Sequence, residues 1–319
     1  MSKPREILIV GGSRWARQIS GELILNYGKS IKIDIFSKTN YENMNAWASD
    51  KKYSQYLCIK NKVSLKESNY FASIIVNSAN DHYLLAKESI SNRIPTLVEK
   101  PVTLSWNETK TLSLLAEEKK TILCSANVYL FSKLINSFSK IVNKDSEIQE
   151  IELNWFDPKI ENRYGESKRQ DLSIPVSTDV LPHVLSILKV ITSKNNFQIL
   201  GCNIYDNLNK ASINISIDNI SCKIKLIRIS ESRKRTIKVK TVKDIFLLDF
   251  TNEDHFLFIN DLKKNDLIDN KEDKPLISML KTFINNVESK NIDHFLDISF
   301  GLTINKAIDD INNLISLKS

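Results

Sequence analysis

Glycine is scarce in this 319-residue chain, at seven residues, and cysteine and histidine are scarcer still, at four each. The cysteines, Cys58, Cys124, Cys202 and Cys222, are scattered and lack the close pairing of a zinc site. They read as thiols in a reducing compartment. Four histidines, His82, His183, His255 and His294, argue against a histidine-rich metal centre, so no metal is expected. No apolar run approaches the roughly 20 residues of a membrane-spanning helix. At the N-terminus, Lys3 and Arg5 lead into only four strongly apolar residues, Ile7 to Val10, which is not the layout of a signal peptide. The expectation is a cytoplasmic protein with no membrane partner. Internal repeats and low-complexity linkers are lacking too.

Apolar residues make up 42% of the chain, enough for a globular protein, and the length favours two domains over one. The net charge is +7, but lysine and asparagine are spread throughout and no nucleic-acid motif accompanies them. A solvated, lysine-rich surface follows, with no nucleic-acid partner and with room for anionic small molecules.

The order of patterns is informative. Ile7–Val10 is a continuous apolar run, as a buried parallel strand requires. A helical pattern from Trp15 to Tyr27 follows, then strands at Ile31–Phe36 and Ser73–Asn77, a helix at Tyr83–Ser91, a strand at Thr96–Val98, a helix at Glu108–Lys119 and a strand at Thr121–Cys124. Such alternation predicts a Rossmann-type doubly wound parallel sheet, assigned to residues 1–125. From about residue 147 the period changes. Glu150–Trp155, Ser212–Asp218 and Thr236–Val242 alternate polar and apolar residues, which predicts an open-faced, largely antiparallel sheet. An α+β domain over 126–319 follows, with helices at Val180–Ile191, Leu276–Val287 and Leu302–Leu317. The final helix is expected to return to the first domain. Asp261–Lys274 reads as an exposed charged loop.

A dinucleotide turn carries glycine for tight turning, for close backbone approach to pyrophosphate and for helix packing. Here the three positions are Gly11, Ser13 and Ala16, with Gly12, Arg14 and Trp15 between them. Serine at the second position is a departure. Amides at the following helix start attract phosphate. After the second strand the chain reads Phe36-Ser37-Lys38-Thr39, with no carboxylate for an adenosine ribose; Asp34 lies inside the strand. A hydroxyl and a cation, Ser37 and Lys38, with Arg14 nearby, suit a 2'-phosphate. NADP(H) is therefore expected in preference to NAD(H), which stays open as the alternative.

Four segments, in order along nearly the whole chain, resemble the Gfo/Idh/MocA (glucose-fructose oxidoreductase / inositol dehydrogenase) family. They are Gly11-Gly-Ser-Arg-Trp-Ala16, Ser78-Ala-Asn-Asp-His82, Glu99-Lys-Pro101 and Asp179-Val-Leu-Pro-His183, the last resembling an Asp-x-x-x-His signature. The run from Phe300 through Ile311 resembles the family's closing helix. Leu181-Pro182 departs from the family, where many relatives carry a glycine before the histidine. The resemblance implies a Rossmann domain followed by an open-faced sheet domain, with the active site between them. It also implies chemistry on sugars, cyclitols or nucleotide-linked sugars, and dimers or tetramers through the outer face of the sheet.

Within that frame His183 is the candidate for the proton and Asp179, one helical turn earlier, orients it or binds a substrate hydroxyl. A plain helix cap is the simpler alternative for Asp179. Lys100, at the end of a parallel strand, is placed to stabilise a developing alkoxide and to bond the nicotinamide ribose, or to donate the proton itself. Glu99, Asn80 and His82 are expected beside the cofactor, with pairing to Lys100 the alternative for Glu99 and a helix-start role the alternative for Asn80; Trp15 covers the pyrophosphate or nicotinamide, or simply packs. Asn127, Tyr129, Arg163, Tyr164, Lys168 and Arg169 are candidate substrate contacts. Arg233, Lys234, Arg235, Lys238 and Lys240 read as an outer turn and strand face. The sequence thus predicts an NADP-dependent oxidoreductase acting on a hydroxyl or carbonyl of a sugar-like or nucleotide-sugar substrate in a biosynthetic direction. The alternatives are an imine reductase and a non-catalytic NADP-binding sensor or scaffold, the latter kept open by Ser13 and the low glycine count.

Overall fold

The computed structural model describes residues 3–65, 69–144, 146–163, 166–169, 172–268 and 274–316, with the backbone alone at 162, 163, 166–169 and 316. Its contacts divide the chain into two compact units. The first is Met1–Ala126 with Leu276–Asn305, and the second is Asn127–Pro275 with Lys306–Ser319.

The first unit is built on six strands, β1 (Arg5–Val10), β2 (Ile31–Phe36), β3 (Leu57–Lys60), β4 (Ala72–Ile75), β5 (Thr96–Glu99) and β6 (Leu123–Ala126). Every pairing is parallel, in the order β3-β2-β1-β4-β5-β6. Helices α1 (Arg14–Tyr27), α2 (Tyr41–Asp50), α3 (His82–Ser91) and α4 (Trp106–Lys119) make the crossovers. Strands β4 and β6 are buried along their whole length, because helices cover both faces of a parallel sheet. The chain winds outward from β1 to β3 and then returns to β4. The strand order therefore reverses between β1 and β4, where open sheets of this kind bind ligands. Helix α2 and strand β3 escape the sequence reading for a physical reason. The helix buries only Met44 and Ala48, and the strand has four residues, so neither leaves a strong periodic signal.

The second unit holds eight strands in one sheet. They are β7 (Ile148–Pro158), β10 (Phe197–Tyr205), β11 (Lys210–Ile217), β12 (Ile220–Ser230), β13 (Lys234–Thr241), β14 (Ile245–Asp249), β15 (Phe256–Ile259) and β16 (Leu262–Lys263). A separate hairpin, β8 (Ile160–Arg163) with β9 (Glu166–Arg169), intervenes after β7. The order is β10-β11-β12-β7-β13-β14-β15-β16. The sheet is mixed and mostly antiparallel, β12 and β7 being its parallel pair. The predicted loop over 261–274 is thus partly structured. Leu262–Lys263 pairs with β15, Asn265–Leu267 forms a 3-10 turn and Ile268 is buried; residues 269–273 lie outside the described part.

Helices α5 (Lys133–Val142) and α6 (Val176–Thr192) belong to this unit, and α6 meets β7, β11 and β12. Facing strand positions Leu153, Ile213, Ile215, Ile224 and Leu226 are buried, as are Val180, Leu181, Val184, Leu185 and Leu188 of the helix. Burying each such side chain contributes about 1.5–3 kcal/mol. Helix α6 starts four residues before the predicted Val180, so Pro182 sits inside it and not in its first turn. Proline has no N–H for the Thr178 carbonyl four residues back; the buried apolar face holds the helix despite that. Helices α7 (Pro275–Ser289) and α8 (Ile298–Ser316) close the chain. Asn305 of α8 donates its side-chain N–H to the Thr103 carbonyl at 2.7 Å within the first unit. Among the described residues no helix is long and apolar enough to cross a membrane.

The start of α6 is tied down by a buried arginine. Arg228, 1% exposed, donates to the Ile174 carbonyl at 2.8 Å and to the side-chain oxygen of Asn209 at 3.1 and 3.3 Å. Val176 adds a backbone bond to Leu208 at 2.9 Å. Arg228→Met should leave these acceptors unsatisfied and cost about 3 kcal/mol of stability, read by urea unfolding.

Candidate functional site

The nucleotide turn is shaped by two close approaches. Gly11 has φ +143°, and a Cβ there would lie 3.0 Å from the Val76 backbone, so β1 turns hard against the end of β4. At Gly12 a Cβ would come within 2.0 Å of the Ser37 hydroxyl. Ser37 itself is 4% exposed, and its Oγ accepts the Asn40 N–H at 3.2 Å. Asn40 also donates its side-chain N–H to the Gly12 carbonyl. It thereby links the turn after β1 to the turn after β2, a role with no sequence signal beyond an asparagine in a loop. Ser13 is the N-cap of α1 in an extended conformation and makes no side-chain cap bond. The helix start therefore presents amides unclaimed by a capping side chain, with partial positive charge. Arg14 and Trp15 are half-buried in the first turn, and Ala16 is buried. The shielded Trp15 indole N–H has no acceptor among the described residues.

At the end of β2, Lys38 and Thr39 are exposed. The nearby carboxylate, Asp34, is already engaged by Lys60 and by the Tyr70 hydroxyl at 2.6 Å. Burial, joined by the bond to Asp34, pushes the Tyr70 phenol up to about 12. The same carboxylate raises Lys60.

Across the strand-order reversal lies the turn after β4. Asn80 is exposed and bonds the Ser78 hydroxyl at 3.3 Å. His82 is 1% exposed, with Nδ1 2.9 Å from the Pro101 carbonyl and Nε2 3.2 Å from the Asn77 carbonyl. The ring braces the Glu99-Lys100-Pro101 turn against the end of β4. Burial, assisted by the Lys100 ammonium, holds its pKa below the usual range, and the two carbonyls pull the other way. A neutral ring has one N–H and serves one of them, the 2.9 Å contact to Pro101 being the better aligned in length. Glu99 and Lys100 are half-buried at the end of β5, and the Lys100–Pro101 bond is cis.

In the second unit Asp179 and His183, both half-buried, lie one turn apart on α6. Asp179 is inside the first turn, and the N-cap position belongs to Pro175. The His183 ring stacks with Trp155 at 5.5 Å and 20°, and meets Tyr129 edge-on at 5.2 Å and 70°. Asn127, 1% exposed, precedes the short 3-10 turn that carries Tyr129. The backbones of Arg163, Lys168 and Arg169 lie on the β8–β9 hairpin. Tyr164 falls outside the described residues.

One expectation needs correction. Arg235 is not on an outer strand face: it is 3% exposed and points inward with Ile237 and Val239. The reason is parity, since residues two apart share a face of a strand. Its guanidinium lies 3.6 Å from the Trp155 ring centre, bonds Asp157 at 2.5 Å and donates to the Tyr129 hydroxyl at 3.2 Å. Arg233 is likewise mostly shielded, at 17% exposed, and pairs with Glu161. Lys238 and Lys240 do face outward. The same parity places Trp155 and Asp157 inward on β7, and neither was singled out from sequence.

Residues 5–127 match the family model described as the oxidoreductase family, NAD-binding Rossmann fold. This segment thus carries the NAD-binding Rossmann domain of the Gfo/Idh/MocA oxidoreductase family. No curated protein matches it in sequence. Among solved structures, the fold is similar to UDP-N-acetylglucosamine 3-dehydrogenase from Acidithiobacillus ferrooxidans, at 15% identity and TM-score 0.75 over 97% of each chain. It is similar to a 3-ketoreductase from Actinomadura kijaniata, in complex with TDP-benzene and NADP, at 10% identity and TM-score 0.78 over 97% of each chain. A dehydrogenase from Clostridium difficile has 13% identity and TM-score 0.73, over 97% of this chain and 99% of its own.

Two outcomes are expected. Gly12→Ala should destabilise the first unit by about 1–3 kcal/mol, and Ser37→Gly in the same chain should recover most of it, because the clash is with the serine side chain. A thermal-melt double-mutant cycle checks this. For His82 the folded pKa lies below the unfolded value near 6.5, so the unfolded chain takes up the proton first as pH falls. The stability associated with the neutral ring is present above that value and is lost below it. Unfolding curves from pH 7.5 to 5 should show this slope in the native chain and a shallower one in His82→Gln.

Proposed function

We propose that the chain transfers a hydride between NADP(H) and a hydroxyl or carbonyl carbon of a nucleotide-linked or similar sugar, in the reductive, biosynthetic direction and in the cytoplasm. The observation that carries this reading is the half-buried His183, walled by Trp155 and Tyr129, with Asp179 one helical turn away. An imidazole titrates near neutral pH, so it can give or take the proton that hydride transfer requires of the substrate oxygen. Lys100 supplies positive charge for an oxygen that becomes anionic.

The nucleotide turn fits a dinucleotide. Gly11 allows close backbone approach, the start of α1 lacks a capping side chain, and the Trp15 N–H awaits an acceptor. The nicotinamide, when bound, supplies the hydride chemistry. Gly11 through Ala16 would hold the pyrophosphate, and Glu99 and Asn80 would contact the cofactor. Preference for NADP is supported at the end of β2. Asp34 is occupied by Lys60 and Tyr70, whereas Lys38 is exposed and suits a 2'-phosphate. Ser37, already bonded to Asn40, shapes this loop. The nucleotide-sugar class is supported by the dehydrogenase and ketoreductase whose folds this chain shares. The exposed sheet face, with Lys223, Lys225, Lys238 and Lys240 beside Glu150 and Glu152, is the proposed surface for self-association into dimers or tetramers.

Fluorescence titration should give tighter binding of NADPH than of NADH, and Lys38→Ala should weaken NADPH by roughly tenfold while sparing NADH. Equal affinities for the two cofactors would sink the preference. On a panel of UDP- and TDP-linked sugars and their keto forms, followed at the nicotinamide absorbance, Lys100→Met and His183→Ala should each lower kcat by about 10²–10⁴. Full activity in both variants would show the assignment to be wrong.

A further inference from the structure

We infer that Arg235 is the positioning residue for His183, acting through the two aromatic walls that flank the imidazole. This rests on reading His183 as the acid/base group. Arg235 and Trp155 are register partners on β13 and β7, so their side chains are cross-strand neighbours on the inner face. The guanidinium carbon lies over the indole, 3.6 Å from the ring centre. One of its arms bonds Asp157 at 2.5 Å and another donates to the Tyr129 hydroxyl at 3.2 Å. Asp157 also accepts the Trp155 indole N–H at 3.2 Å. A single planar cation therefore fixes the tilt of Trp155 and the place of Tyr129 together. Those are the rings that touch His183, at 5.5 and 5.2 Å. Lysine, a point charge on a flexible stem, cannot make the fork and the stack at once.

Stability alone does not account for the arrangement. Arg235 and Asp157 are 3% and 5% exposed, and a buried ion pair gains no more than well-packed apolar residues of the same volume. What the fork adds is direction, because each of its bonds is angularly specific. An imidazole that must meet a substrate oxygen within hydrogen-bond reach benefits from walls that do not swing.

With four histidines in the chain, the His183 ring signals are open to direct observation by NMR, identified by their loss in His183→Gln. Arg235→Met combined with Asp157→Leu removes both charges together, leaving neither buried alone. In that variant the His183 ring signals should move as the Trp155 ring current shifts, while those of His82, His255 and His294 stay. In the double variant kcat on the sugar nucleotide that the native chain turns over should fall by about 100-fold with NADPH affinity unchanged, and Arg235→Lys should restore the signals in part. Unmoved His183 signals in the folded variant would overturn the inference. Should the double variant fail to fold, Tyr129→Phe removes a single hydroxyl, and a smaller displacement of the same signals is expected; none would count against the proposal equally. If the signals move while His183→Ala retains full turnover, the positioning stands and the acid/base reading fails.

Discussion

The arginine–aspartate pair on the inner face of the second sheet constrains everything near it. Removing an ion from water costs several kcal/mol, so a buried guanidinium is tolerated only where most of its donors and its flat faces are answered. Arg235 is answered by a carboxylate, a phenol and an indole. Those partners come from β7 and from the turn after Asn127, so the charge pulls together segments far apart in the chain. Helix α6 then lies against a surface that is aromatic and polar at one place and aliphatic elsewhere. His183 faces the first, while Val184, Leu185 and Leu188 are buried among the second. The helix has one seating that satisfies both, and the Arg228 anchor at its start fixes the entry.

In the first unit the equivalent constraint is steric. Gly11 and Gly12 leave no room for a β-carbon, because the backbone after β4 and the Ser37 side chain fill that space. With only seven glycines in the chain, two adjacent ones at this turn mark a geometric need. Asn40 and His82 finish the work from either side, one joining the turn to the loop after β2, the other joining the Lys100–Pro101 turn to the end of β4. Rigid turns around a strand-order reversal hold backbone amides in place before any ligand arrives, which lowers the entropy that binding must overcome.

Much of this was legible from residue patterns. The continuous apolar run Ile7–Val10 and the buried run at Ile74–Val76 announce parallel strands, and period-two runs such as Ile213, Ile215 and Ile217 announce the second sheet. The family motifs are local and survive in sequence. What stayed hidden depends on long-range pairing. Helix α2 and strand β3 are too short and too polar for periodicity to reveal. The helix expected from Val180 begins at Val176, because the apolar face extending back that far overrides the local cost of Pro182. Arg235 was misread through composition: among Arg233, Lys234, Lys238 and Lys240 it looks like one more solvated charge. Its parity with Ile237 and Val239 was readable all along, and only the register Arg235↔Trp155 shows what answers it.

That contrast bears on how sites of this kind can vary. The groups proposed to bear chemistry, Lys100, Asp179 and His183, sit in short motifs whose spacing local structure dictates. The groups inferred to orient His183, namely Trp155, Asp157 and Arg235, are distributed, and their identity matters only together. Exchange of one member leaves a buried group unsatisfied, a penalty of about 1–3 kcal/mol for a neutral partner and more for a charge. Exchange of the whole set for apolar residues avoids that penalty yet surrenders the angular constraint. The motifs can thus persist while the shell around them is rebuilt as a unit. Under the proposed role for His183, the direction of its imidazole is therefore governed by residues that no short motif contains.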